Sequence, residues 1–293
     1  MFACPRGLFT SANGIRLHYR DWGGSGQTVV LLHGLASTCH IWDLVAPILS
    51  HDFRVIALDQ RGHGESDKPD EGYDFASVSE DLHQFIAQVG VERPIIAGHS
   101  WGGDVAIEYA VAHPQSAAGL CLVDGGGMDF SSNPDWDRET ARREMAPPIF
   151  SGVTVDQFVG RVRERWSALV ADGQGREGIV LANFFVQEDR TIKARLSLEN
   201  HLRIIDSVWD HHPRELYPRI SCPVLLMPAR QIQDGAPTPR QTRRAESIAR
   251  AEALLRVSKT VWLEDSIHDV PVQRPELVAS TIADHLANGF FSA

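Results

Sequence analysis

Apolar positions along the chain follow two rhythms. Short, nearly continuous apolar runs stand at Thr28–Leu32 (TVVLL), Arg54–Leu58 (RVIAL), Pro94–Ala97, Ala118–Val123, Val224–Met227 and Thr260–Leu263. Runs this short, bounded by turn residues, suit strands buried on both faces of a parallel sheet. Between them the spacing becomes helical. Ile41–Leu49 has it, and Phe75–Val89 places Phe75, Val78, Leu82, Phe85, Ile86 and Val89 on one face. Trp101–Ala112 is a helix of small residues, and a last helix falls near Glu276–Ala287. Ahead of all this, Leu8–Ser11 and Ile15–Trp22 flank Asn13-Gly14, which predicts a β-hairpin with a tight turn.

Strand and helix alternate from residue 28 to about 124 and resume near 222. The pattern predicts an α/β fold, a mostly parallel, doubly wound sheet led by an antiparallel hairpin. Between about 128 and 216 the alternation stops. RETARREM, QFVGRVRERW, ANFFVQ and ENHLRIIDSVW carry helical spacings there. We expect a first core part at 1–127, a helical cap at 128–216 over one edge of the sheet, and a second core part at 217–293. The cap aromatics Trp136, Trp166, Phe184, Phe185 and Trp209 are candidates to line an apolar pocket.

Composition narrows the class of partner. The 293 residues are 43% hydrophobic and 23% charged, and a net charge of -10 with no basic run disfavours nucleic acid and anionic membranes. No apolar stretch reaches the roughly 18 residues of a membrane span. The opening MFACPRGLFTS lacks the apolar segment of a signal peptide. The four cysteines have no CxxC spacing and read as reduced thiols, which points to a cytoplasmic protein. His201, His211 and His212 have no HExxH or CxxC beside them, so no metal site is expected. Gly125-Gly126-Gly127 lacks a further glycine at 130 and a following strand–helix unit, so no dinucleotide loop and no cofactor are expected.

Candidate chemistry begins at Ile95–Gly103, where IIAGHSWGG turns from apolar strand to small-residue helix at one residue, Ser100. Reversing direction there strains that residue, and Gly98 and Gly102 flank it because a Cβ would crowd the turn. Gly98-His99-Ser100-Trp101-Gly102 thus fits the G-x-S-x-G elbow, which holds a hydroxyl above the carboxyl ends of the strands. The helix start behind it offers unpaired N–H groups to a developing oxyanion. A hydroxyl near neutral pH needs a base, and the base an orienting acid. His268 follows the last strand within a few residues and is the candidate base. Two aspartates could be the acid: Asp124 at the end of Leu120–Val123, and Asp234 in the longer loop after Val224–Met227. Asp265 lies too near His268 in sequence to orient its ring. His99 is expected to pack beneath the elbow, and His18, His40, His51, His83, His113 and His285 to be surface or half-buried.

LLHGLAS (Leu31–Ser37), DQRGHGES (Asp59–Ser66), GHSWGG (Gly98–Gly103) and SIHDVPVQRPE (Ser266–Glu276), in this order, resemble the α/β-hydrolase-fold enzymes along nearly the whole chain. The resemblance implies Ser100 as nucleophile, His268 as general base, and an oxyanion hole from the backbone N–H groups of Leu35 and Trp101. Side chains at those two positions are then free to shape the acyl pocket. It also implies that Arg61 and His63 tie loops together at the rim. Most members carry the acid about where Ile232 stands, two residues from Asp234. Some, including certain haloalkane dehalogenases, carry it one strand earlier, at Asp124, which is preferred here. Dehalogenases and epoxide hydrolases of the family have Asp at the elbow, and proline iminopeptidases an HGGPG loop; both features are missing. The expected activity is therefore hydrolysis of a carboxylic ester or lactone, with a small apolar ester-type molecule as substrate. The alternatives are a C–C bond hydrolase, an amidase or aminopeptidase with the same triad, and a non-catalytic ligand-binding protein on this fold. A homodimer is left open.

Overall fold

The computed structural model describes residues 5–170, 175–231 and 238–292. Its centre is an eight-stranded sheet. The strands are β1 (Arg6–Ala12), β2 (Ile15–Gly23), β3 (Thr28–Leu32), β4 (Arg54–Leu58), β5 (Ile95–His99), β6 (Gly119–Val123), β7 (Val224–Met227) and β8 (Ser258–Thr260). Their spatial order is β1-β2-β4-β3-β5-β6-β7-β8. β1–β2 and β2–β4 are antiparallel, and every other pair is parallel. The leading hairpin turns at Asn13-Gly14, both at positive φ, as an Asn-Gly turn between twisted strands requires.

Two helices frame the site. α1 (Phe75–Gln88) is capped by Asp74, which accepts from the Ser77 N–H, and buries Phe75, Val78, Leu82, Phe85 and Ile86. α2 (Trp101–Ala112) starts at Ser100, and nearly all of it is buried. Its small residues let it lie close against the sheet. The segment Ile41–Leu49 is two pieces rather than one helix: a 3-10 turn at Cys39–Trp42 and a short helix at Ala46–Leu49 with Pro47 in its first turn. A proline at that point starts a helix but cannot continue one.

Between β6 and β7 the chain forms α3 (Val155–Leu169), α4 (Glu177–Leu181), α5 (Leu198–Trp209) and further helical segments that include Arg138–Glu144. It also forms a two-stranded antiparallel ribbon, Phe184–Val186 against Ile192–Ala194, so ANFFVQ is not helical as its spacing predicted. Two adjacent aromatics and a valine favour extended backbone, and Arg190 at positive φ closes the turn. After β7 comes α6 (Pro239–Leu254), which the apolar pattern barely announces: among its described residues Ala251 is the one that is buried, with Ile248 packed partly against the core. Its start is legible in another way. Thr238 and Gln241 form a reciprocal capping box with Pro239 in the first turn. α7 (Pro275–Ala287) closes the chain. Among the described residues no helix is long and apolar enough to cross a membrane.

Candidate active site

Three strand ends meet at the carboxyl rim. Ser100 follows β5 directly and sits at φ 52°, a left-handed conformation that costs a non-glycine residue free energy. The glycines around it are needed for space: a Cβ on Gly98 would come to 2.2 Å of the Gly102 carbonyl oxygen, and one on Gly102 to 2.6 Å of the His33 carbonyl oxygen. The turn is held by Ser100 N–H donating to Val123 and Gly103 N–H donating to Ser100.

Ser100 Oγ lies 3.0 Å from His268 Nε2, and His268 Nδ1 lies 2.6 Å from Asp124 Oδ2. A carboxylate can only accept, so Nδ1 carries the proton and donates to Asp124. The Nε2 lone pair is then free to accept from the serine hydroxyl. Asp124 is the carboxylate that meets the ring, while Asp234 lies outside the described residues. The acid's side chain is 2% exposed, the imidazole's 55%. Burial by itself pushes the Asp124 carboxyl up. The hydrogen bond from His268, the nearby Arg244 charge, the charge His268 carries when protonated, and the Ala229 N–H outweigh it and hold the group below its ordinary value.

Arg244, on α6, is a contact that sequence reasoning missed. Its guanidinium bonds Asp124 Oδ1, which also accepts the Ala229 N–H at 2.6 Å. With Oδ1 taken twice, Oδ2 is left for the histidine. His99 holds the ring from the other side. Its Nε2 donates to the His268 carbonyl at 2.8 Å, and the two rings are 4.9 Å apart. Burial first, and then repulsion from His268 when that ring is protonated, hold the His99 pKa down to about 4, so the ring is neutral.

Leu35 lies in the loop after β3 and lines the cavity beside Ser100. Trp101 is the first residue of α2. Among the described residues neither N–H donates to another protein group. The Trp101 side chain does not reach the cavity wall; it is buried and stacks on His63 at 5.5 Å, because the first turn of α2 directs it back onto the sheet. His63 in turn fixes the Leu35 loop. Its Nδ1 donates to the Arg61 carbonyl at 2.8 Å and its Nε2 accepts the Ala36 N–H at 3.2 Å. Arg61 is clamped on Asp81 at 2.6 and 2.7 Å. The rim ties expected at Arg61 and His63 are therefore present.

Of the five cap aromatics, Trp166 alone lines the cavity. Phe184 packs on Phe150 and Phe158, Trp136 on Phe130, and Phe185 is an exposed ring beneath Arg195. His18 is buried rather than superficial, bonding Asp59 at 2.8 Å. His18, Cys39 and Asp59 have ligand atoms close enough for a metal. Asp59 is already spent, with Oδ1 on the Cys39 N–H and Oδ2 on His18 and the Glu65 N–H, so the cluster reads as a loop anchor. Cys39, Cys121 and Cys222 are free thiols, each with a pKa raised by burial, and none is activated as a nucleophile.

A fold, an elbow and a rim of this kind have relatives. The family model described as alpha/beta hydrolase fold matches residues 27–201, and the chain belongs to that family. An uncharacterized protein of Mycobacterium tuberculosis (strain ATCC 25618 / H37Rv) is 37% identical over 131 residues, 45% of this chain and 38% of that protein. A soluble epoxide hydrolase of Corynebacterium sp. (strain C12) is 38% identical over 112 residues, 38% of this chain and 39% of that protein. The chain thus matches about two fifths of the length of these curated relatives. Among solved structures, E-2-(acetamidomethylene)succinate hydrolase superposes on 97% of this chain and 100% of its own with a TM-score of 0.77 at 20% identity, a likeness of fold.

Proposed function

We propose that this chain is a serine hydrolase that cleaves a carboxylic ester or lactone through an acyl-enzyme. Ser100 Oγ attacks the acyl carbon as His268 Nε2 takes its proton. The oxyanion forms against the N–H groups of Leu35 and Trp101, a kind of contact worth about 3–4 kcal/mol per donor. His268 then protonates the departing alcohol. Water, activated by the same ring, releases the acid and frees Ser100. Asp124 keeps the proton on Nδ1 and stabilises the imidazolium. The supporting observation is the unbroken chain from Ser100 Oγ through His268 to Asp124, at 3.0 and 2.6 Å. A hydroxyl at the elbow also separates this chain from the epoxide hydrolase it resembles, given the Asp nucleophile that the family resemblance assigns to such enzymes.

The test is covalent. A fluorophosphonate should label the wild type at Ser100, and Ser100→Ala should lose both the label and more than about 10³-fold of its turnover of p-nitrophenyl acetate. Folded wild-type protein that takes no label, or a Ser100→Ala variant with undiminished kcat, overturns the proposal.

A further inference from the structure

The cavity in front of Ser100 is small, about 230 Å³ against the roughly 300–1,000 Å³ of pockets for drug-sized ligands. Its wall is mixed: Ser37, Asn183 and Asp269 stand among Ile41, Ile179 and Val180. Among the described residues it holds no Lys or Arg, and Asp269 is its one carboxylate. A molecule with a net charge of -10 also draws cations toward such a cleft.

The Asp269 carboxylate is firmly placed but little used. The residue directly follows His268, and its backbone carbonyl accepts the N–H groups of Val272 and Gln273 at 3.0 Å. Its side chain is 34% exposed and caps no N–H of the helical turn Val270–Gln273 that follows it. Arg165 Nη2 donates to Oδ2 at 3.1 Å, and among the described residues Oδ1 has no partner. The Arg165 bond is single rather than forked, and that arginine is 62% exposed. Ion pairs of this kind contribute little, because water screens them and both side chains lose freedom in making them. A cation held inside the cavity can therefore share the carboxylate with Arg165 or displace it.

The position of the base says which half of an ester would bring that cation. His268 Nε2 lies 3.0 Å from Ser100 Oγ and must also reach the leaving oxygen, so the alcohol departs on the histidine side, where the chain runs on into Asp269. Resting on the serine-hydrolase reading, we propose that the substrate is a short ester whose alcohol carries an ammonium group, received by Asp269. The leaving group is then cationic, in place of the wholly apolar ester expected from the sequence.

Three acetate esters test this with a constant acyl group: acetylcholine, its uncharged counterpart of the same shape 3,3-dimethylbutyl acetate, and the anionic 3-acetoxypropanoate. In the wild type, kcat/KM for acetylcholine should exceed that for 3,3-dimethylbutyl acetate by about tenfold, and 3-acetoxypropanoate should fall below it by a similar factor. Asp269→Asn should bring the ratio of acetylcholine to 3,3-dimethylbutyl acetate toward unity. Arg165→Gln, which frees the carboxylate, should raise it. An ion pair that only holds the loop would move the ratio the same way in both variants. If Asp269→Asn does not fold by circular dichroism, Asp269→Ser reads the same ratio. A wild type that does not prefer acetylcholine to the uncharged ester overturns the inference. So does a preference that survives loss of the carboxylate, or a ratio that falls in Arg165→Gln as well. Failure of the underlying reading looks different: none of the three esters is turned over and the fluorophosphonate leaves Ser100 unlabelled.

Discussion

At the scale of single residues, the acid of the site is held by more than its histidine. Asp124 Oδ1 receives both the Ala229 N–H and Arg244, so the carboxylate cannot rotate without giving up one of them. Arg244 therefore acts through Asp124, as a positioning residue. Arg244→Gln should lower kcat about tenfold with KM little changed, and Arg244→Lys should recover part of the loss; equal kcat in all three proteins would refute the role. Asp124→Asn should cost more, on the order of 10³–10⁴ in kcat, since it leaves the wrong tautomer facing Ser100. The same carboxyl has a depressed pKa, so it contributes stability above its unfolded value of about 3.9 and loses it as pH falls through the folded one. The gap in stability between wild type and Asp124→Asn, read from urea melts, should narrow as pH drops below about 4. Ser100 and His268 were legible because each sits in a short motif next to a strand end. Asp124 stayed open against Asp234 because an aspartate before three glycines is also ordinary turn chemistry. Arg244 was out of reach, because its partner is 120 residues away and its helix carries only a weak apolar stripe, Ile248 and Ala251.

At the scale of elements, the continuous apolar runs were the most legible part, and β3, β4 and β7 begin and end where the pattern put them. Elements that bury little were not: α6 was missed and the Phe184–Val186 ribbon misread. The join between the inserted segment and α2 was likewise invisible. His211, just past α5, lies between two residues of α2, with Nε2 3.1 Å from Asp104 and Nδ1 2.7 Å from Glu108. The Phe75 ring packs on it at 4.4 Å. Burial works against the charged ring, but the bonds and charges of the two carboxylates outweigh it and raise its pKa to about 9. A raised pKa means that the stabilisation is complete below the unfolded value of about 6.5 and disappears as pH climbs through about 9. Relative to His211→Gln, the wild type should be more stable by on the order of 3 kcal/mol at pH 6, and much of that margin should be gone by pH 10. Urea melts of both proteins at the two pH values measure it. A margin that does not change with pH would mean that His211 is neutral in the folded protein.

At the scale of the whole molecule, the inserted segment has no core of its own. Phe158, Val162, Trp166, Ile179, Phe184 and Ile192 belong to the same buried cluster as Val29, Leu31, Val55 and Ala57 of the sheet. Leu196, Ile204 and Val208 belong to the cluster on the other face, with Val30, Leu32, Ile56 and Leu58. The insertion is thus shared between both faces, and ion pairs at Arg165–Asp269 and Arg195–Glu65 tie it to the loops of the rim. Apolar surface buried against the sheet contributes only while the sheet is folded, at about 25 cal/mol per Å². Separating the two would expose both sides at once. We therefore expect one cooperative unfolding transition. Trp166 is buried in the insertion, so its fluorescence, taken as the difference between wild type and Trp166→Phe, reports on that segment, while far-UV circular dichroism reports on the whole chain. Both signals should share one urea midpoint. An earlier midpoint for the Trp166 signal would make the insertion a separate unit that opens alone. The cavity in front of Ser100 would then lose its Trp166, Ile179 and Asn183 wall while Ser100, His268 and Asp124 stayed assembled.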